Sequence, residues 1–144
     1  MKLSTRTRYG FRAIMELVEN YGHGPLQLNV IAKREDISLK YLEQLMAILK
    51  SAGFVRSVRG AKGGYILAKA PNQIKLSDIF NALEGPMMTV ECVGDKSRCS
   101  RVVDCVTREL WIQVQDAIEK VLKSMTLQEL ADKAQKSKTS YYQI

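Results

Sequence analysis

Three cysteines, Cys92, Cys99 and Cys105, lie within 14 residues of one another, and the chain has no others. Clustered thiolates are soft ligands that suit an iron–sulfur cluster or zinc. Without metal, the same thiols would make a redox-sensitive loop. Lys96, Arg98 and Arg101 lie among them and should favour the ionised thiols. An odd number of cysteines argues against a disulfide framework. Little else in the chain suggests covalent chemistry. His23 is the one histidine and sits in a Gly-His-Gly-Pro turn, where a solvated side chain is the simpler reading. Gly60-Ala61-Lys62-Gly63-Gly64 lacks the spacing of a nucleotide phosphate loop, and no nucleophile–base constellation stands out, so an enzyme is not expected.

A second chemistry-bearing stretch runs from Ser38 to Leu67. Leu42, Leu45, Met46 and Leu49 repeat at the spacing of a helix with one buried face. Ser38 can cap its start and Gly53 its end. The other face carries Lys40, Glu43, Gln44, Ala47 and Ser51, with Tyr41 beside it. The period then changes to two. Residues 54–58 read as a strand and residues 65–67 as its return. Arg59 and Lys62 sit in the glycine-rich turn between them, with Gly63, Gly64 and Tyr65 closing it, and Lys62, Gly63 and Gly64 suit a close backbone approach to phosphate. A helix followed at once by a basic-tipped hairpin is the layout of a winged helix-turn-helix, in which the helix enters the DNA major groove and the hairpin reaches a neighbouring one. Taken alone, the same pattern also suits a protein that binds no nucleic acid.

Charge distribution favours the DNA reading. Residues 1–69 hold 12 Lys/Arg against 5 Asp/Glu, whereas residues 70–144 hold 10 against 10. The whole excess therefore lies in the half with the helix and hairpin, which points to a polyanion such as the nucleic-acid backbone. An anionic membrane surface would call for a basic amphipathic helix with large apolar anchors, which is not evident. No apolar run is long enough to cross a bilayer, and no apolar signal core follows the basic N-terminus, so a cytoplasmic protein is expected.

The elements that must position these groups follow from periodicity. Residues 4–21 read as a helix with Phe11, Ile14, Leu17, Val18 and Tyr21 inward. Arg6 and Arg8 lie near its start and Arg12 one turn on. Cations there oppose the helix dipole, and phosphate contact is one reason for them. Residues 28–35 read as a short helix linked tightly to Ser38, completing the helix-turn-helix. A further helix is expected over 76–83, with Ile79, Phe80 and Leu83 on one side. Residues 86–104 look irregular. From 105 to 123 two apolar rows adjoin: Val106, Leu110, Val114, Ala117 and Val121 form one, and Trp111, Ile118, Leu122 and Met125 the other. Two rows suit a helix packed both on its own domain and on a second copy of the chain. Thr126 to Glu129 reads as a capping box before a short helix to about 136 and a polar tail. The expected organisation is mainly α: a winged helix-turn-helix DNA-binding domain over 1–85, a cysteine loop over 86–104, a long dimerisation helix over 105–125, and a short C-terminal helix and tail over 126–144. A structural adaptor built on the long helix is the remaining class, and predicts no specific DNA site.

In order and spacing, several segments resemble the IscR/NsrR/CymR family of bacterial winged-helix regulators. They are Ile37-Ser38-x-x-Tyr41-Leu42-Glu43-Gln44-Leu45, Arg59-Gly60-x-x-Gly63-Gly64-Tyr65, Leu83-Glu84-Gly85-Pro86 and Glu109-Leu110-Trp111. The resemblance covers nearly the whole chain. It implies a homodimeric repressor that reads a near-palindromic operator in double-stranded DNA with the helix after Ser38 and the wing. It also implies that Cys92, Cys99 and Cys105 match the three ligands of an iron–sulfur cluster, 2Fe–2S rather than 4Fe–4S. Two departures stand out. The first gap between cysteines is one residue longer than usual. Where IscR-like members often supply a histidine ligand the chain has Arg108, and where some NsrR-like members supply an aspartate it has Arg6-Thr7-Arg8. The fourth ligand is left open among Asp104, Glu109, a group of the partner chain, a small thiol and water. The long helix and tail look closer to CymR-like members, which sense cysteine supply with a partner protein and need no cluster.

Overall fold

The computed structural model describes residues 2–142. Helix α1 (Thr5–Glu19) begins at Ser4, whose hydroxyl accepts from the Thr7 N–H. Its inward stripe is Ala13, Ile14, Leu17 and Val18, all buried, with Phe11 packed at the edge. The helix ends before Tyr21, which stands half exposed beyond the Asn20 cap rather than in the stripe. Gly10 lets α1 approach the fourth helix: a Cβ there would lie 2.5 Å from Leu83 Cδ1.

Helix α2 (Leu28–Glu35) ends at Asp36, which takes the left-handed conformation at φ 52°. That turn, with Ile37 buried behind it, aims α3 (Leu39–Ser51). Ser38 caps α3 by accepting from the Tyr41 N–H at 3.2 Å. Leu42, Leu45, Met46 and Leu49 are each at most 1% exposed. Burial of such side chains stabilises by about 1.5–3 kcal/mol each, which is what fixes the roll of α3 and so its outer face. Beyond Gly53, at φ +85°, the chain enters β1 (Val55–Val58), which pairs antiparallel with β2 (Gly64–Leu67), Val55 opposite Leu67. Lys50 Nζ donates to Ser57 Oγ at 3.0 Å, bracing the wing against α3.

Helix α4 (Leu76–Glu84) buries Leu76, Ile79, Phe80 and Leu83 and closes the core. The segment after it is largely irregular, with a single helical turn α5 (Glu91–Gly94) and a 3-10 turn over Lys96–Arg98. Helix α6 (Val106–Lys123) then starts from Cys105. The capping box forms: the Thr126 N–H donates to Glu129 Oε2 at 2.8 Å and the Glu129 N–H to Thr126 Oγ1 at 3.2 Å. Helix α7 (Leu127–Tyr142) is longer than its pattern suggests, and the last two residues of the expected tail lie outside the described residues. It packs back on α1, with Leu127 fully buried in the core, and Lys138 pairs with Glu19 at 3.2 Å. The Leu76 N–H donates to the Met125 C=O at 3.0 Å and the Leu127 N–H to the Ile74 C=O at 2.9 Å, so the chain returns to the body that α6 left. Among the described residues, no helix is long and apolar enough to cross a membrane.

Candidate nucleic-acid interface and cysteine loop

The outer face of α3 carries Lys40, Glu43 and Gln44, all exposed, with Ser38 exposed at its cap. Tyr41 is half-buried. Its ring meets Tyr9 edge-on, with centroids 6.1 Å apart and planes at 89°. The Arg12 guanidinium lies 5.1 Å over the Tyr9 ring and pairs with Glu35 at 2.8 Å, while Arg34 pairs with Glu16 at 3.1 Å. Arg12 therefore has an internal purpose, holding α1 to α2, which its position in the sequence did not suggest. Arg6 and Arg8 are exposed and enter no ion pair among the described residues.

At the wing, Arg59 and Lys62 are exposed at the tip. The glycines beside them answer to the fold. A Cβ on Gly63 would fall 2.1 Å from the Val58 carbonyl oxygen, and one on Gly64 would fall 2.4 Å from the Leu26 carbonyl oxygen. The latter approach exists because Tyr65 and Leu26 exchange backbone hydrogen bonds of 2.9 and 3.0 Å, tying the wing to the turn before α2. Tyr65 is half-buried in that seam.

A polar latch joins the two ends of the first core. Glu84 accepts from the hydroxyl of Thr7, which is buried, and from the Ser4 hydroxyl at 2.7 Å. The Thr7 and then the Ser4 hydroxyl hold its carboxyl below the usual range. These residues lie far apart in sequence, and no spacing or periodicity links them.

The cysteine loop follows directly. Cys92, Cys99 and Cys105 are free thiols, each half-exposed. Cys105 Sγ lies 3.2 Å from Thr107 Oγ1. The Thr107 hydroxyl, then the Arg108 N–H, hold the Cys105 thiol below its ordinary pKa, with a lesser contribution from Arg101. Of the other cations expected to act on the thiols, Arg98 instead faces Asp95 at 3.6 Å. The loop is fastened to α6. Arg108 Nε donates to the Cys92 carbonyl at 3.1 Å, the Thr89 N–H to Gln115 Oε1 at 3.2 Å, and the Thr89 hydroxyl to the Trp111 carbonyl at 3.1 Å. Among the described residues, no three His, Cys, Asp or Glu side chains gather into a group that could hold a metal ion.

Residues 3–133 match the family model Rrf2, described as an iron-dependent transcriptional regulator. The chain belongs to the Rrf2 family of transcriptional regulators. It is 44% identical over 131 residues to the HTH-type transcriptional regulator CymR of Bacillus subtilis, covering 91% of this chain and 90% of that protein. Over 132 residues it is 36% identical to the HTH-type transcriptional regulator IscR of Cronobacter sakazakii, covering 92% and 81%. The solved structure of CymR, the global cysteine regulator of B. subtilis, superposes with a TM-score of 0.79 at 43% identity, covering 92% of this chain and 97% of that one. T. potens IscR superposes with the same TM-score at 41% identity, covering 95% and 90%. The resemblance read from the sequence is thus borne out, as are the mainly helical winged-helix fold and the absence of an enzyme: Rrf2 regulators control transcription and bind DNA. IscR and CymR both stand among this chain's relatives, so membership of Rrf2 does not choose between cluster sensing and cysteine regulation.

Proposed function

We propose that this Rrf2 regulator is a cytoplasmic homodimer that represses transcription from a near-palindromic operator and is switched through its cysteine loop. One observation carries the dimer, and with it the operator. Helix α6 has no buried residue. The C-terminal end of its second row turns inward, with Leu122 and Met125 packed against the core, while Trp111 at the other end stays exposed. Its first row is largely bare: Val106, Leu110 and Val121 are 82%, 50% and 62% exposed, with Val114 half-buried between them. A second copy applying the same row across a two-fold axis covers both, and paired α3 helices then address half-sites about one duplex turn apart.

In this reading Lys40, Tyr41, Glu43 and Gln44 meet base edges from α3. Gln44 suits adenine, and Glu43 accepts from the cytosine amino group. A carboxylate near phosphates is costly unless a donor meets it, so Glu43 excludes wrong sequences. Arg59 enters a narrow minor groove, while Lys62, Arg6 and Arg8 meet phosphates. Glu43→Ala is expected to relax discrimination at one base position per half-site by about 1–3 kcal/mol. Competition binding across single-base operator variants reads this directly, and an unchanged ranking of variants would remove Glu43 from readout.

The donor chemistry of the loop fits an iron–sulfur cluster at three positions. Cys92, Cys99 and Cys105 are free of disulfides, and Cys105 is biased to the thiolate. When bound, such a cluster supplies iron–sulfur bonds that respond to oxidants, nitric oxide and iron supply. A second reading is a cluster-free regulator of cysteine and sulfur metabolism that works through thiols or a partner protein, in the manner of its CymR relatives. Two features favour it. The thiols are not gathered, and Arg108, where IscR-like members often place a histidine, directs its guanidinium to the Cys92 carbonyl. The deciding experiment is the visible spectrum of protein purified without oxygen, with iron, sulfide and zinc analysis. The cluster reading expects iron and sulfide in equal amounts and bands that vanish in Cys92→Ala. Colourless, metal-free protein that still binds its operator establishes the second reading.

A further inference from the structure

A cavity of about 510 Å³ opens where the wing meets the end of α1, away from both α3 and the cysteine loop. One wall is Leu17, Asn20 and Tyr21; the other is β2 with Arg56 and Lys69. Three features define its chemistry. First, Arg56 and Lys69 are both exposed and neither enters an ion pair among the described residues, and no carboxylate lines the cavity. Second, β2 has an open edge there. Tyr65 bonds outward to Leu26, and the Ala68 N–H bonds inward to the Phe54 carbonyl. Backbone direction alternates along a strand, so the N–H and C=O of Leu67 point outward too, on the side the cavity occupies. Third, Tyr21, Tyr65 and Ile66 give it aromatic and apolar walls. Asn20 is already spent holding the turn, its Nδ2 donating to the Gly24 carbonyl at 2.8 Å.

We propose that this cavity is a binding site for a small organic carboxylate with an apolar or aromatic body, separate from the cysteine loop. Arg56 and Lys69 receive the carboxylate, with the Leu67 N–H as a further donor, and the tyrosines enclose the body. A guanidinium matches a planar carboxylate with two parallel hydrogen bonds. The size lies within the range of small-molecule sites, and the lining is polar and apolar in nearly equal parts, as an amphipathic acid needs. A duplex phosphate, by contrast, needs no aromatic or apolar wall beside its cations.

The test uses full-length protein and 4-fluorophenylacetate as probe, followed by its fluorine NMR line, with 2-(4-fluorophenyl)ethanol as the neutral comparison. Binding in the millimolar range is expected for a molecule of this size. The alcohol should bind about tenfold more weakly or worse, and R56Q/K69Q should weaken the acid by a similar factor. C92A should bind the acid as well as the unaltered protein. Both altered cations are exposed, so the melting temperature of R56Q/K69Q should hold; the single variants R56Q and K69Q give the same reading if it does not. The proposal is overturned if the acid does not bind, if acid and alcohol bind alike, or if R56Q/K69Q leaves the acid's affinity intact. Loss of DNA affinity and of salt slope in R56Q/K69Q, without acid binding to the unaltered protein, would make these cations phosphate contacts instead.

Discussion

Leu110→Glu combined with Val121→Glu is expected to give a folded monomer whose operator affinity is at least about a hundredfold lower, because the effective concentration of the second half-site reader is lost. Both side chains are 50% or more exposed in the single chain, so the new carboxylates cost the isolated fold little. Across a two-fold interface each would be buried opposite apolar neighbours, and an unpaired buried charge costs several kcal/mol. Sedimentation velocity reads the oligomeric state, circular dichroism the fold and gel shift the affinity. A variant that stays dimeric would mean that the bare row of α6 is not where two copies meet. The other row is a poor place for this test, since Leu122 and Met125 pack on the core and a carboxylate there costs fold stability as well.

Gly64→Ala should lower the melting temperature by about 5–15 °C, from a loss of about 2–4 kcal/mol. The added Cβ would meet the Leu26 carbonyl oxygen at 2.4 Å, its carbon at 2.6 Å and the Gln27 nitrogen at 2.9 Å, at φ +153°. These are backbone atoms, so no side-chain rotation relieves the clash. The exchange of hydrogen bonds between Tyr65 and Leu26 breaks, and the wing loses its seat. Gly60→Ala is the control: φ is +114° there, but a Cβ would meet nothing within 4 Å, so only conformational strain of about 1 kcal/mol is added. Thermal denaturation of the two variants side by side separates clash from strain. Equal melting temperatures would mean that the Leu26 approach adjusts without cost.

Local features of the sequence carried far. The α2 range, the Ser38 cap and the Thr126–Glu129 capping box were legible because each depends on residues within one turn of each other. Periodicity also showed that α6 has two apolar rows. It did not show which row turns inward, because a repeat counts faces without orienting them against a distant core. The contacts of Glu84 with Ser4 and Thr7, of Arg12 with Glu35 and of Arg108 with the Cys92 carbonyl leave no periodic trace. They pair residues that only the fold brings together. The length of α7 is illegible in the sequence for a related reason. Its polar surface hides a helix held to the body by a few points, buried Leu127 and the Lys138–Glu19 pair among them. For the candidate site, residue types were readable and their surroundings were not: the same glycines that suit a close approach to phosphate are demanded by Val58 and Leu26.

Helix α6 is anchored beyond its C-terminal end by the backbone bonds of Leu76 to Met125 and Leu127 to Ile74, while its other end begins at Cys105 and holds the cysteine loop through Arg108. Eighteen residues make a rod about 27 Å long. With the fulcrum at one end, a tilt of about 5° sweeps the other by about 2 Å. Leverage also runs backwards, so a displacement of that size at the loop, small enough to arise from re-ligating a thiol or releasing Arg108, leaves the anchored end turning through only a few degrees. Mechanical advantage of this kind trades travel for force. It would suit the proposed two-fold assembly, which would have to set the spacing of two readers against the pitch of a duplex rather than swing them apart.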